Sequence, residues 1–594
     1  MVVFLTVHEN RTHQAHVPHV RSRWPRALTF TASLAWRHLR AEPARLPLLA
    51  LRLAPGPPRR AVRSAASRLG GLPLAYALWD QGRREEAREA VLAAADGAGD
   101  RAVCRLVTAC LAAGDASTAR ELVERLPRGR TRDAAEHRTE LATGRAVPAS
   151  SVSPDHHGIT LTRGDRTRPD DTVNARRPPG TGEPPRVLHL VTNALPHTNA
   201  GYTQRTHRIA VAQRERGIDA HVVTRAGYPL NKGVADPRPL VTVDGVPYHR
   251  MIPWTAPADA DAEFGAGLRM GSALVEALRP DVLHAASNHH NARLALALGE
   301  RFGLPVVYEV RGFLEESWLS RDPERSTEDA FYRAERARES ACMLAADLVV
   351  TLGGTMRADI VERGVDPDRL LVVPNAVDPS FLEPLPPAGG VREPLGIGGG
   401  AFVAGTTTSC FGYEGLDTLL EAVALMRERG EDAHALVVGD GPELPALRAR
   451  AQDLGLAGAA HFTGRVPSGR VREYHGALDV FVVPRRNERV CRVVTPLKPV
   501  EAMAGGLPIV ASDLPALREI VEPGVTGELI PAGQSVCLAD VLSNLSYSHK
   551  TRTSYGCAGR SVVEEERTWA GAAYRYDVAY RGLIQKMSGP GHIP

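Results

Sequence analysis

At 594 residues the chain exceeds the ~250–300 residues at which a single hydrophobic core stops growing, so more than one domain is expected. A composition 43% hydrophobic and 24% charged, with a net charge of +4, is globular and excludes a polyanion binder working by bulk charge; no nucleic-acid partner is expected. Seven cysteines, odd in number and without CxxC spacing, argue against a disulfide framework or a zinc site and for a reducing compartment. No apolar run reaches the ~18 residues of a membrane span. The N-terminal MVVFLTVHENRTHQAH lacks the basic-then-apolar order of a signal peptide, so a cytoplasmic location is expected.

Residues 1–70 read as a basic leader. Between Glu9 and Asp80 the only acid is Glu42, against a series of arginines running from Arg21 to Arg68. Two short apolar pieces lie within it, Ala27 to Leu39 with Trp36, and Leu46 to Leu53. Such pieces suit peripheral contact with an anionic membrane, even at the inner face of the plasma membrane, and equally suit an extra helical cap or a poorly ordered leader. From 71 to 127 the pattern is helical and nearly repeats: Ala77, Gly82 and Ala87 recur as Ala109, Gly114 and Ala119. Helix, Gly turn and helix with a small packing residue resemble tetratricopeptide-type hairpins. Residues 128–184 lack periodicity and are rich in Arg, Pro, Gly, Thr and Asp, the composition of a largely disordered linker.

At Arg186 the pattern turns to alternating strands and helices. Val187–Val191 is a buried strand, Thr192–Thr203 a polar loop, Gln204–Arg216 a helix and Ala220–Thr224 a second strand, which opens a Rossmann-like half. No GxGxxG is present, so no dinucleotide is implied. Asp281–His284 and Pro305–Gly312 are further strand ends. Arg311 leaves the second of these, where a guanidinium suits an acceptor carboxylate or phosphate; an internal pair with Glu309, Glu315 or Glu316 satisfies it equally. A helix over Glu328–Ala346 and strands at Leu348–Thr351 and Leu371–Val373 complete this half, 185–377. The second, 378–560, begins with the strand at Phe402. Ser409 and Gly415 stand where hydroxyls and a helix start suit phosphate.

The segment Phe481 to Gly533 reads as strand, basic loop, helix, strand, loop, helix and turn. Arg485, Arg486 and Lys498 precede a helix carrying Glu501, the makings of a phosphate-and-sugar pocket. An ordinary βαβ unit with a solvated basic loop fits the same pattern.

PLKPVEAMAGGLPIVASDLPALREIV through GVTGELIPAG resembles the donor-site signature of retaining GT-B glycosyltransferases of family 4. The segments ending His284-Ala285-Ala286, YEVRGF, VPNAVD and VGDGP resemble other motifs of the same family. The resemblance implies an α/β chain of two Rossmann-like domains across a cleft, with a helical N-terminal extension and a C-terminal helix (561–585, with Trp569, Tyr576 and Tyr580) crossing back to the first domain. It implies sugar transfer from a nucleoside-diphosphate sugar to a glycan, lipid or small polyol hydroxyl, with no metal and no cofactor beyond that donor. Glu501, Lys498, Arg486 and His289 take the catalytic places. Gly201, Ser409, Gly415, Gly439, Gly441, Val466, Arg485, Thr495, Pro496 and Leu497 take donor-binding ones, and Tyr202, Arg311 and His284 acceptor-binding ones. The chain departs from the pattern at Val493 and Ala286, where the family has Glu and His. It departs again at Ser409 and Glu414, where the family has cations, which would leave Arg485, Arg486 and Lys498 as the diphosphate counter-charge. Those departures also suit a non-catalytic scaffold of the same fold, docking partners in an envelope-polymer assembly.

Overall fold

An unbroken apolar run such as Val480–Val483 has no polar face to give to water, so it settles in a sheet covered on both sides. The structure, a computed structural model, describes residues 24–41, 56–144 and 184–588. Its first sheet holds β1 (Arg186–Val191), β2 (Asp219–Thr224), β3 (Leu240–Val243), β4 (Val246–Arg250), β5 (Val282–Ala286), β6 (Val306–Val310), β7 (Leu348–Thr351) and β8 (Leu370–Val372). Their order is β3-β4-β2-β1-β5-β6-β7-β8, parallel except for β3. The second sheet holds β9 (Phe402–Thr407), β10 (Ala433–Val438), β11 (Ala460–Gly464), β12 (Val480–Val483), β13 (Ile509–Ser512) and β14 (Gly527–Ile530), in the order β11-β10-β9-β12-β13-β14. In each sheet the first strand lies between strands reached in opposite directions, the switch point where open α/β sheets form their crevice.

Among the described residues seven helices precede the first sheet: α1 (Trp24–Ala41), α2 (Gly56–Leu69), α3 (Gly71–Asp80), α4 (Arg84–Ala95), α5 (Asp100–Ala113), α6 (Ala116–Glu124) and α7 (Arg130–Thr143). The repeat seen in the sequence is a pair of hairpins. Gly82 and Gly114 turn the chain at φ of 77° and 79°, and Ala77, Ala87, Ala109 and Ala119 are all fully buried between helices. The expected linker is in part wrong: α7 occupies 130–143 and packs on α6, burying Ala135 and Thr139. Its pattern is mostly polar, so only the tertiary contact reveals it. The remainder of that linker, 145–183, and leader residues 1–23 and 42–55 with Leu46–Leu53, lie outside the described residues. The hairpins rest on the first domain where the Gly144 carbonyl accepts from Phe331 N (2.8 Å) and Arg120 pairs with Glu324.

The first domain carries α8 (Gly201–Glu215), α9 (Ala260–Leu278), α10 (His289–Phe302), α11 (Leu314–Leu319), α12 (Ala330–Ala345) and α13 (Gly354–Glu362). The second carries α14 (Leu416–Glu428), α15 (Leu444–Asp453), α16 (Val471–Gly476), α17 (Arg489–Val493), α18 (Lys498–Ala504), α19 (Pro515–Arg518), α20 (Ser535–Tyr547) and α21 (His549–Glu566). The last helix, α22 (Trp569–Ser588), leaves the second domain and packs on α8 of the first, burying Tyr576 and Tyr580 completely. The two crossing stretches touch where Val377 N donates to Arg567 O at 3.0 Å.

The domains meet face to face. Arg489 reaches across to Glu316 (2.7 Å) and to Asp359, while Val493 joins the apolar core of the first domain. The Glu519 carboxylate accepts from the backbone N–H groups of Gly354 (2.9 Å) and Thr355 (2.7 Å) at the start of α13, a favourable place for an anion.

Candidate functional site

The carboxyl ends of both sheets open on the space between the domains. On the second domain three exit loops pack so closely that glycine is required. Gly439 has φ 145°, and a Cβ there would overlap the Thr408 carbonyl; one on Gly441 would lie 2.5 Å from Cys410 O. Gly415, at φ 66°, presses against Pro484 O. These glycines let the three loops pack closely, so loop geometry by itself accounts for their presence. Val466 likewise packs partly buried against the second domain's core.

The basic loop differs from expectation. Arg485 is not an open counter-charge: its guanidinium is clamped by both oxygens of Glu414 (3.0 and 3.1 Å), the residue standing where the family has a cation. Arg486 pairs with Asp417 at 2.7 Å but keeps half its side chain in water, and Lys498, 42% exposed, lies 3.1 Å from Glu501 Oε2. The movable cations are therefore Lys498 and Arg486. An acid at 414 calls for a local cation, and Arg485 supplies it.

Glu501 is almost wholly buried in α18. Burial pushes its carboxyl above the ordinary value, opposed by Lys498 and reinforced by the nearby carboxylate of Asp378. Asp378, from the hinge, also pairs with Arg208. Thr495 is buried, its carbonyl accepting from the hinge Asn375 Nδ2 at 3.2 Å. Of the three residues Thr495, Pro496 and Leu497, only two bring a backbone N–H, because Pro496 has none. Ser409 is exposed at the β9 exit. His475, fully buried behind the same loop, was not singled out from the sequence. Burial, with Lys498 and Arg472 adding to it, holds it down at about 3, so it is neutral beside Thr407 (3.3 Å).

On the first domain the β1 exit loop crosses the cleft. Asn199 Nδ2 donates to Ser468 Oγ (3.4 Å) and the Asn199 carbonyl accepts from Arg465 (3.2 Å). Gly201 opens α8 with free space where a Cβ would stand. Tyr202 is half in solvent, its hydroxyl accepting from Asn193 at 2.9 Å. Arg311 takes the internal pair: it donates to Glu309 (2.6 Å), Tyr202 O (2.8 Å) and Thr206 Oγ1 (2.7 Å). It positions the start of α8 rather than standing open to an acceptor.

Two histidines are corrected outright. His284 lies inside the sheet, fully buried, with Nδ1 on the Tyr580 hydroxyl (2.6 Å) and Nε2 on Glu309 (3.2 Å). Burial lowers its pKa against the pull of Glu309. A strand residue pointing at a neighbouring helix cannot face the cleft, so it is not an acceptor ligand. His289 is buried between α10 and α12, held by Glu335 at 3.0 Å, and is likewise no open catalytic group. Neither partner was legible from spacing, since Tyr580 and Glu335 lie 296 and 46 residues away.

Among the described residues no group of three His, Cys, Asp or Glu is arranged to hold a metal ion.

Sequence comparison matches residues 200–376 to the family described as "Glycosyl transferase 4-like domain" and 401–547 to "Glycosyl transferases group 1", together more than half of the chain. A GDP-mannose-dependent alpha-(1-6)-phosphatidylinositol monomannoside mannosyltransferase of Mycobacterium tuberculosis is 33% identical over 179 residues, 30% of this chain and 44% of that protein. The chain thus spans less than half the length of that relative. A D-inositol 3-phosphate glycosyltransferase of Stackebrandtia nassauensis is 27% identical over 449 residues, 71% of this chain and 97% of that one. In fold the chain is similar to sucrose-phosphate synthase of Thermosynechococcus elongatus, with a TM-score of 0.56 at 17% identity, covering 68% of this chain and 100% of that one. With both family regions matched, each on its own Rossmann-like domain, the chain belongs to the group 1 glycosyltransferases of GT-B architecture.

Proposed function

We propose that the chain transfers a sugar from a nucleoside-diphosphate sugar to an acceptor hydroxyl with retention of anomeric configuration, in the synthesis of a cell-envelope glycolipid or polysaccharide. The observation that carries this reading is the Lys498–Glu501 pair. A half-exposed ammonium and a buried carboxyl stand 3.1 Å apart beside the hinge, at the carboxyl end of the second sheet. As the bond from the sugar to the diphosphate breaks, negative charge grows on the departing phosphate. Lys498, Arg486 and the N–H groups of Thr495 and Leu497 are the donors available to meet it. Glu501 accepts hydrogen bonds from the nucleotide ribose. The contacts of Asn199 with Ser468 and of Arg489 with Glu316 close the cleft against water, which limits donor hydrolysis. No metal takes part in the step, so a chelator leaves the rate unchanged. The seven cysteines are all free, which supports a reducing, cytoplasmic site.

The test is release of nucleoside diphosphate by the purified full chain from GDP-mannose, UDP-glucose and ADP-glucose, with and without inositol-containing acceptors. We expect release that falls about 10–100-fold in Lys498→Ala and in Glu501→Ala, the loss of one charged hydrogen bond. Turnover unchanged in both variants would sink the site assignment. Absence of turnover with every donor favours the second reading, a non-catalytic scaffold docking envelope-assembly partners. Specific observations support that alternative: Arg485 is neutralised within the protein, Pro496 has no N–H, and Val493 is buried in the opposite domain.

A further inference from the structure

Helix α1 lies outside the two family-matched regions, yet it is seated on the first domain. Ala27 and Phe30 are buried, and the Phe30 ring occupies the space over Gly227, where a Cβ would stand 2.6 Å from it. Leu230 and Ile252 complete that cluster, and Ser33 Oγ accepts from Ala256 N at 2.7 Å. Residues 227–230 follow β2 and residues 252–256 follow β4. Both strands run parallel to β1, so α1 sits on the same cleft-side edge as the β1 exit loop. The link is direct: the Tyr228 hydroxyl bonds Ala194 O (2.5 Å) and Thr198 Oγ1 (2.9 Å), next to Asn199.

The opposite face of α1 has nothing packed on it among the described residues. Trp24 (43% exposed), Leu28 (64%) and Trp36 (66%) point outward with Ala32 and Ala35 between them, and no charged residue interrupts this face from 24 to 36. At 1.5 Å per residue the stripe is about 18 Å long, with tryptophan at each end. Half-exposed Trp254 adjoins it, with Arg26 stacked over its ring at 4.8 Å. The helix carries Arg26, Arg37 and Arg40 and no acid, and between Glu9 and Asp80 the sequence has only Glu42 as an acid. An uncharged stripe bounded by tryptophans and embedded in basic sequence is complementary to the interfacial zone of an anionic bilayer.

We propose that α1 lays this face in the surface of an anionic membrane, so that the cleft takes an acceptor hydroxyl carried on a lipid. The acceptor clause rests on the transfer reading above; the membrane contact does not. Full-length protein should co-sediment with vesicles of equimolar phosphatidylglycerol and phosphatidylcholine and far less with phosphatidylcholine alone. Leu28→Glu combined with Trp36→Glu should lower binding at least about tenfold, by setting acids in the apolar stripe facing anionic headgroups. Brominated lipid should quench tryptophan fluorescence of the unsubstituted chain, a readout that needs no variant. Equal sedimentation of parent and variant, no quenching, or a dimer in solution that the double variant dissolves would each overturn the membrane contact. Release of nucleoside diphosphate in solution, with a water-soluble acceptor present, should be the same in parent and variant. Its absence from both, with vesicle binding intact, would sink the transfer reading and leave the membrane surface standing.

Discussion

The Tyr576 hydroxyl donates to Glu309 Oε1 at 2.9 Å, so the C-terminal helix is hydrogen-bonded to a carboxylate at the heart of the first domain. The same carboxylate takes Arg205 at 2.7 Å and Arg311 at 2.6 Å, and Arg205 in turn donates to the hinge carbonyls of Val373 (2.8 Å) and Pro374 (2.9 Å). Helix α22, the hinge and the start of α8 are thus fastened to one buried anion.

Glu309→Ala should therefore be among the most damaging changes. It leaves two guanidiniums without their buried acid, at a cost of about 3–5 kcal/mol, whereas Tyr576→Phe removes one neutral donor and costs about 1 kcal/mol. Calorimetry of the first-domain transition compares the two; equal shifts would refute the network. Burial alone would raise the Glu309 carboxyl, but Arg311, Arg205 and His284 hold it well below its ordinary value. A depressed carboxyl contributes stability that is present above its unfolded value and lost as the pH falls through the folded one. The acid side of the stability profile should flatten in the alanine variant.

Glu501 has the opposite sign. With its carboxyl raised by burial, its contribution is present below the unfolded value and lost as the pH rises through the folded value. Glu501→Gln should melt at or above the parent temperature at pH 7, with the difference shrinking towards pH 4, while transfer falls about 10–100-fold. A variant less stable than the parent at pH 7 would show that the carboxylate serves the fold instead of the ligand.

Glu414→Gln tests whether Arg485 is recruitable. The buried guanidinium would lose its acid, lowering the melting temperature of the free protein. A nucleoside diphosphate then has an unpaired cation to meet, so GDP or UDP should raise the variant's melting temperature by more degrees than the parent's. Equal ligand shifts would mean that Arg485 never reaches the diphosphate.

Gly439→Ala should destabilise the second domain by about 1–3 kcal/mol from overpacking, because its Cβ would overlap the Thr408 carbonyl at a φ of 145°. Ligand-induced stabilisation by nucleoside diphosphates should fall with it. Gly201→Ala is the control: nothing stands within 4 Å of its Cβ, so the melting temperature should hold and any loss of activity reports on donor binding.

The sequence by itself determined most of the strands, the two-domain division and the returning helix, but not β3, β4 or β14. The mostly apolar run Val187–Val191, the run Phe481–Val483 and the spacing of Trp569, Tyr576 and Tyr580 along one helix are local patterns that burial reads directly. It also placed Lys498 and Glu501 together, because three residues along a helix are neighbours. What the tertiary structure decided was the fate of charge and of histidine. Arg485 is neutralised by Glu414, 71 residues away, and His284 is occupied by Tyr580, 296 residues away. Helix α7 took shape inside an expected linker because it found α6 to pack on. Whether a polar group is free for a ligand depends on which partners the fold brings to it, and a partner distant in the chain leaves no period or spacing in the sequence.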